Sequence, residues 1–174
     1  MTGSSRRLLV MRHSKAKGEA ETDHARPLSA RGRRDAESTG QLMGERNEAI
    51  DLALLSTAQR VRDTFEHLCS GLGETPAARF EGAVYSGGSR ELLELVRGVA
   101  DDVRTLLVVG HNPTIESLCQ VLDDGSADQA ARDARDAMHA ACPTSAFATY
   151  DVPKGWSEVG PGALRLTHFD VPRG

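Results

Sequence analysis

A chain of 174 residues, 39% hydrophobic and 26% charged, is long enough for a single domain, 1–174, with a proper core, and its composition is not that of a disordered protein. The formal net charge of −4 argues against a general nucleic-acid binder, and no apolar run approaches the roughly 18 residues of a membrane span. The apolar stretch after Arg6-Arg7 ends after four residues, short of the ~7–15 that an export signal needs, so the expected location is cytoplasmic.

The first element is a buried strand, Leu8-Leu9-Val10-Met11, that runs directly into Arg12-His13. A polar, irregular stretch over 14–29 follows, carrying Gly18 and Pro27. Ser29 is placed as the N-cap of a helix through Ala36 to Met43. A second strand over 52–55 leads to Ser56. A helix over 57–68 then carries Val61, Thr64, Phe65 and Leu68 on one face. Gly71, Gly73 and Pro76 break the chain before a short strand at 78–80. Ser89 is the expected cap of the next helix, with Leu92, Leu93, Val96 and Val99 as its apolar stripe.

A third strand over 105–109 ends at Gly110-His111, and Pro113 sits where the first turn of a helix tolerates proline. That helix presents Ile115, Leu118, Cys119 and Leu122. The segment 126–141, rich in Ala, Asp and Arg, reads as an exposed helix or lid whose charges form a solvated face. Strands over 145–150 and 164–169 close the chain, joined by a loop around Trp156. Short apolar strands alternating with helices imply an α/β fold, a three-layer sandwich with a mostly parallel sheet covered on both faces.

In such sheets ligands bind beyond the carboxyl ends of the strands. Here those ends supply Arg12, His13, Arg60 and His111. Each histidine alone reads equally well as a structural residue at a strand end. Together with two arginines they suggest more. Arginine grips two phosphate oxygens with a planar fork that stays charged, and a neutral imidazole can attack phosphorus if its other nitrogen is held by an acceptor. The set is therefore a candidate phosphoryl-transfer pocket.

The same residues resemble the motifs of the histidine phosphatase (phosphoglycerate mutase-like) superfamily. Leu9-Val10-Met11-Arg12-His13-Ser14 resembles its opening Arg-His motif, and Arg26-Pro27-Leu28-Ser29-x-x-Gly32 its following Leu-Thr-x-x-Gly element. Ser56-x-x-x-Arg60-x-x-x-Thr64 is similar to its second arginine motif, and Val109-Gly110-His111-Asn112-Pro113 to its second histidine motif. The resemblance implies that His13 is phosphorylated in turnover while Arg12, Arg60 and His111 hold the phosphoryl group. It also implies that Arg26, as in the compact bacterial phosphohistidine phosphatase branch, adds a phosphate contact, whereas the ordinary reading of Arg26 is a surface salt bridge.

Two departures bear on the substrate. Ser14 replaces the usual glycine of the opening motif and is a candidate substrate contact that could narrow the pocket. The acidic motif that larger members use as a proton donor has only a late counterpart, Glu81 in Phe80-Glu81-Gly82, where a solvated carboxylate is the commoner reading. Asp23 and Glu116 are no better placed by sequence. Without a donor, expulsion of an alkoxide-like oxygen loses about 10²–10⁴-fold, whereas a leaving imidazole needs less help.

The expected activity is thus a metal-independent phosphatase acting on protein phosphohistidine, with a small phosphorylated metabolite as the alternative. A phosphoglycerate-type mutase and a non-catalytic phosphate-binding module rank below both. No cofactor is expected, because the six histidines show no H-E-x-x-H or i, i+4 spacing and Gly87-Gly88-Ser89 lacks the lysine of a P-loop. Cys69, Cys119 and Cys142, odd in number and without C-x-x-C spacing, fit reduced thiols. Nothing in the pattern specifies an oligomeric state.

Overall fold

Six strands, β1 (Arg6–Arg12), β2 (Leu52–Ser56), β3 (Ala77–Glu81), β4 (Thr105–Gly110), β5 (Phe147–Val152) and β6 (Arg165–Asp170), form one sheet in the computed structural model, which describes residues 6–174. Their order is β3-β2-β4-β1-β5-β6. The pairs β2–β3, β2–β4 and β1–β4 are parallel, whereas β5 and β6 add on as antiparallel strands. The mostly parallel α/β sandwich expected from the sequence is the fold observed.

Period-two alternation sends successive side chains of each strand to opposite faces. Leu8 and Val10 join Leu54, Leu106 and Val108 in one core cluster, while Leu9 and Met11 join Ala53, Leu55, Leu107 and Val109 in the other. Helices α1 (Ala30–Glu45) and α2 (Gln59–Leu72) cover the second face, with Met43, Val61, Phe65 and Leu68 inserted into it. The short α3 (Gly82–Ser86) follows β3. Helices α4 (Ser89–Arg97), α5 (Thr114–Leu122) and α6 (Gln129–Ala140) cover the first face.

Helices α1 and α2 cross with their backbones in contact. A Cβ on Gly40 would meet the Leu68 carbonyl oxygen at 2.0 Å, and one on Gly71 the Glu37 carbonyl at 1.9 Å. Glycine at both positions is what permits the approach. Ser29 caps α1 as expected, its hydroxyl accepting from the Gly32 N–H at 3.1 Å and donating to the Lys15 carbonyl at 3.0 Å.

Four local readings change. Helix α3 was not anticipated. Ser89 opens α4 rather than capping it: Gly88 holds the cap position, and its N–H donates to the Glu91 carboxylate at 2.8 Å. The segment 126–141 is no lid, because α6 buries Ala131, Ala134 and Met138 and packs along β6, leaving only its charged face in solvent. Finally, β5 starts two residues later than expected, since Ser145, at φ 66°, turns the chain so that its N–H reaches the His13 carbonyl at 3.2 Å. No helix among the described residues is long and apolar enough to cross a membrane.

Candidate active site

Strands β1 and β4 run in register, with Arg12 beside Gly110, so their next residues, His13 and His111, emerge side by side at the carboxyl end of these central strands. The two imidazole centroids lie 5.1 Å apart. The backbone around His13 is fixed from three directions: its N–H donates to the Gly110 carbonyl at 3.0 Å, and its carbonyl accepts from Ser145. The following N–H, of Ser14, donates to Thr64 Oγ1 at 3.1 Å; that hydroxyl in turn donates to the Arg60 carbonyl at 2.6 Å, which joins α2 to the end of β1.

The side chain of His13 is equally constrained. Its Nδ1 lies 2.7 Å from the Ser14 carbonyl. A carbonyl can only accept, so Nδ1 carries the hydrogen and Nε2 keeps its lone pair. Burial drives the His13 pKa down to about 3, against the raising effect of the Ser14 carbonyl, and the neighbouring His111, Arg60 and Arg12 push it the same way as burial. His111 is likewise lowered to about 4, first by burial and then by Arg60. Both rings are therefore neutral at physiological pH. His111 Nε2 pairs with Ser56 Oγ at 2.7 Å.

Around them lies a cleft of about 360 Å³ lined by Arg12, His13, Lys15, Asp23, Arg26, Arg60, His111, Asn112 and Thr144, together with Ala16. Arg12 is aimed by a hydrogen bond of 2.9 Å from its guanidinium to the Cys142 carbonyl. Arg60, only 5% exposed, donates to the Asp23 carbonyl at 2.7 Å and to the Asp23 carboxylate at 3.1 Å. Arg26 reaches the same carboxylate through Nε at 3.1 Å and donates to the Lys17 carbonyl at 2.9 Å. Tyr85 supplies a further donor to Asp23 at 3.0 Å. Burial alone would raise the Asp23 carboxyl, but the bonds from Arg26, Tyr85 and Arg60 outweigh it and hold its pKa at about 2.

The structure thus gathers Arg12, His13, Arg26, Arg60 and His111 into one cleft. Ser14 is placed otherwise. It is fully buried with its Oγ 2.6 Å from Ser145 Oγ, beneath the cleft rather than lining it. Glu81 is paired with Arg79 at 2.7 Å at the end of edge strand β3 and does not line the cleft. Asp23, which the sequence placed no better than Glu81, and Tyr85, to which it assigned no role, are the residues that sequence reasoning missed. A smaller cavity of about 160 Å³, lined by Val152, Lys154, Glu158 and Leu164 among others, opens at the opposite end of the sheet, where β1 begins. Among the described residues no three His, Cys, Asp or Glu side chains converge as a metal site, and Cys69, Cys119 and Cys142 are free and buried.

A profile of the histidine phosphatase superfamily (branch 1) matches residues 8–82. An uncharacterized protein of Mycobacterium tuberculosis is 38% identical over 164 residues, 94% of this chain and all of the relative. The structure of a protein from Nakamurella multipartitia assigned as the phosphohistidine phosphatase SixA superimposes with a TM-score of 0.84 at 30% identity, over 98% of both chains. One from Agrobacterium tumefaciens with the same assignment gives 0.77 at 28% identity, over 96% of this chain and 98% of the other.

Proposed function

The chain belongs to the histidine phosphatase superfamily, and from that premise we propose that it dephosphorylates phosphohistidine on proteins, without a metal ion, through a covalent intermediate on His13. The observation that carries this reading is the fixed tautomer of His13, whose Nδ1 hydrogen is bound to the Ser14 carbonyl while Nε2 is free. Its lone pair attacks phosphorus, and the bond to the leaving atom breaks with its electron pair going to that atom. Arg12 and Arg60 spread positive charge over the transferring oxygens, with His111 beside them. Water then joins phosphorus, the His13 Nε2–P bond breaks, and both hydrogens of the water depart with inorganic phosphate. The ring returns neutral, with Nδ1 still protonated.

Charge stabilisation here comes from guanidinium groups that already line the cleft, which is the support for metal independence. The similarity to the proteins assigned as SixA supports phosphohistidine as the substrate class. Incubation with a labelled phosphodonor in the presence of chelator is expected to leave acid-labile phosphate on the wild type and none on His13→Ala. Normal hydrolysis of an aryl phosphate by His13→Ala would overturn the assignment of the nucleophile.

A further inference from the structure

We propose that Asp23 is the leaving-group residue of this cleft, its carboxylate accepting the ring N–H of a departing imidazole and so favouring phosphorus–nitrogen substrates over phosphate esters. The inference rests on the phosphohistidine reading and assigns it a residue. The residues lining the cleft include four cationic side chains, Arg12, Lys15, Arg26 and Arg60, and one carboxylate, Asp23. At its floor His13 is 8% and Arg60 5% exposed, and the charge there is cationic, as a phosphoryl group requires. At its mouth stands a carboxylate, Asp23, whose side chain is 58% exposed. A phosphoryl group seated on the floor directs whatever it is attached to towards the mouth.

A carboxylate at the mouth discriminates between leaving groups by elementary electrostatics. A phosphate ester expels an oxygen that becomes negative as the bond breaks, and a nearby carboxylate opposes that charge. A phosphorylated imidazole leaves easily only when its second ring nitrogen is protonated, and that form carries a positive ring. The carboxylate attracts the ring and accepts its N–H.

The chemistry then balances without any proton transfer. The His13 Nε2 lone pair forms the new P–N bond, the old P–N bond breaks with its pair returning to the ring, and the ring departs as neutral imidazole keeping its N–H. One imidazole replaces another, so no general acid is called for. Neither other carboxylate nearby fits this role: Glu81, on Arg79, and Glu116, on Asn112 at 3.2 Å, both lie outside the residues that line the cleft.

Two further features suit a flat cationic ring. Hydrogen bonds from Arg26, Tyr85 and Arg60 keep Asp23 ionised, as its pKa of about 2 reflects. The Tyr85 ring lies edge-on to His24 at 4.8 Å and to His111 at 5.6 Å, which puts aromatic surface beside the carboxylate. An imidazolium against such a ring gains a cation–π contact.

The test compares kcat/KM for N-phosphoimidazole and for 4-nitrophenyl phosphate in the wild type, Asp23→Asn, Asp23→Glu and Tyr85→Phe, with His13→Ala as blank. Asp23→Asn is expected to lower the preference for the P–N substrate by at least about tenfold, the scale of a lost ionic hydrogen bond. Asp23→Glu is expected to restore much of it, and Tyr85→Phe to shift it in the direction of Asp23→Asn by less. An equal loss on both substrates would mean that Asp23 only positions Arg60, and an unchanged ratio would mean no role in selection; either overturns the inference. Should Asp23→Asn fail to fold, Tyr85→Phe carries the same comparison. A wild type that hydrolyses the ester but not N-phosphoimidazole would instead sink the phosphohistidine reading itself.

Discussion

The readiness of His13 for the nucleophilic role proposed for it is a property of one side chain in one environment. An ordinary imidazole, with its pKa near 6.5, is partly protonated just below neutrality, whereas burial holds His13 at about 3. The expected result of a nitrogen-15 NMR titration is therefore a His13 ring that stays neutral, with hydrogen on Nδ1, from pH 8 down to about 5. Titration near 6.5 would refute the burial argument. The same shift has a stability consequence. The depressed pKa means that the unfolded chain takes up a proton more readily than the fold, so this contribution to stability is complete above pH 6.5 and is lost as pH falls towards 3. His111, lowered to about 4, adds a loss of the same sign over an overlapping window.

At the scale of elements, the crossing of α1 and α2 depends on two glycines and not on a third in the same helix. A Cβ at Gly40 or Gly71 meets backbone near 2 Å, whereas one at Gly44 finds nothing closer than Leu72 at 3.8 Å. Gly40→Ala and Gly71→Ala are expected to destabilise by roughly 1–3 kcal/mol or more, because backbone cannot yield as a side-chain tip can. Gly44→Ala, filling ordinary van der Waals space inside a helix, is expected to be neutral or stabilising by about 0.5–1 kcal/mol. Urea denaturation separates the cases, and equal effects at Gly40 and Gly44 would disprove the close crossing. The same physics explains the Ser29-x-x-Gly32 spacing: a Cβ on Gly32 would meet the Lys15 carbonyl at 2.1 Å, so only glycine lets the first turn of α1 pack on the chain just beyond His13.

These examples mark what was legible in the sequence. Leu8–Met11 and Leu106–Val109 announced themselves as strands because burial on both faces demands unbroken apolar runs, and the strand ends then located His13 and His111. Asp23 could not be found that way. Its partners Arg60 and Tyr85 lie 37 and 62 residues away. What brings it to them is a loop held by single backbone bonds, Lys17 N–H to the Pro27 carbonyl and Ser29 N–H to the Lys15 carbonyl, which have no periodic signature. The helix and charged face of α6 were legible, but its buried side was not, because Ala131 and Ala134 carry little apolar signal. Ser14 was misread because the chain reversal at Ser145, which occupies its hydroxyl, is 131 residues distant.

Taken as a whole, the molecule sets a rigid floor beneath a lightly held rim. Strands β1 and β4 are central in the sheet, and Leu8 through Met11 and Leu106 through Val109 are at most 1% exposed. His13 and His111 extend directly from them. Strand β3 lies at the sheet edge paired only to β2, with Phe80 40% exposed beneath the Arg62 guanidinium, and the 15–28 loop bearing Asp23 and Arg26 is mostly exposed. Amide exchange follows such differences in burial and pairing. The expected pattern is slowest exchange, near the global unfolding limit, at Leu9 to Met11 and Leu107 to Val109. Faster exchange is expected at Ala78 to Phe80, and the fastest at Glu19 to Thr22. Exchange at Leu9 to Met11 as rapid as at Ala78 to Phe80 would contradict this account. On the proposed mechanism this divides the labour: the groups assigned to phosphorus stand at the ends of the least yielding strands, whereas Asp23, assigned to the leaving group, stands on the exposed 15–28 loop.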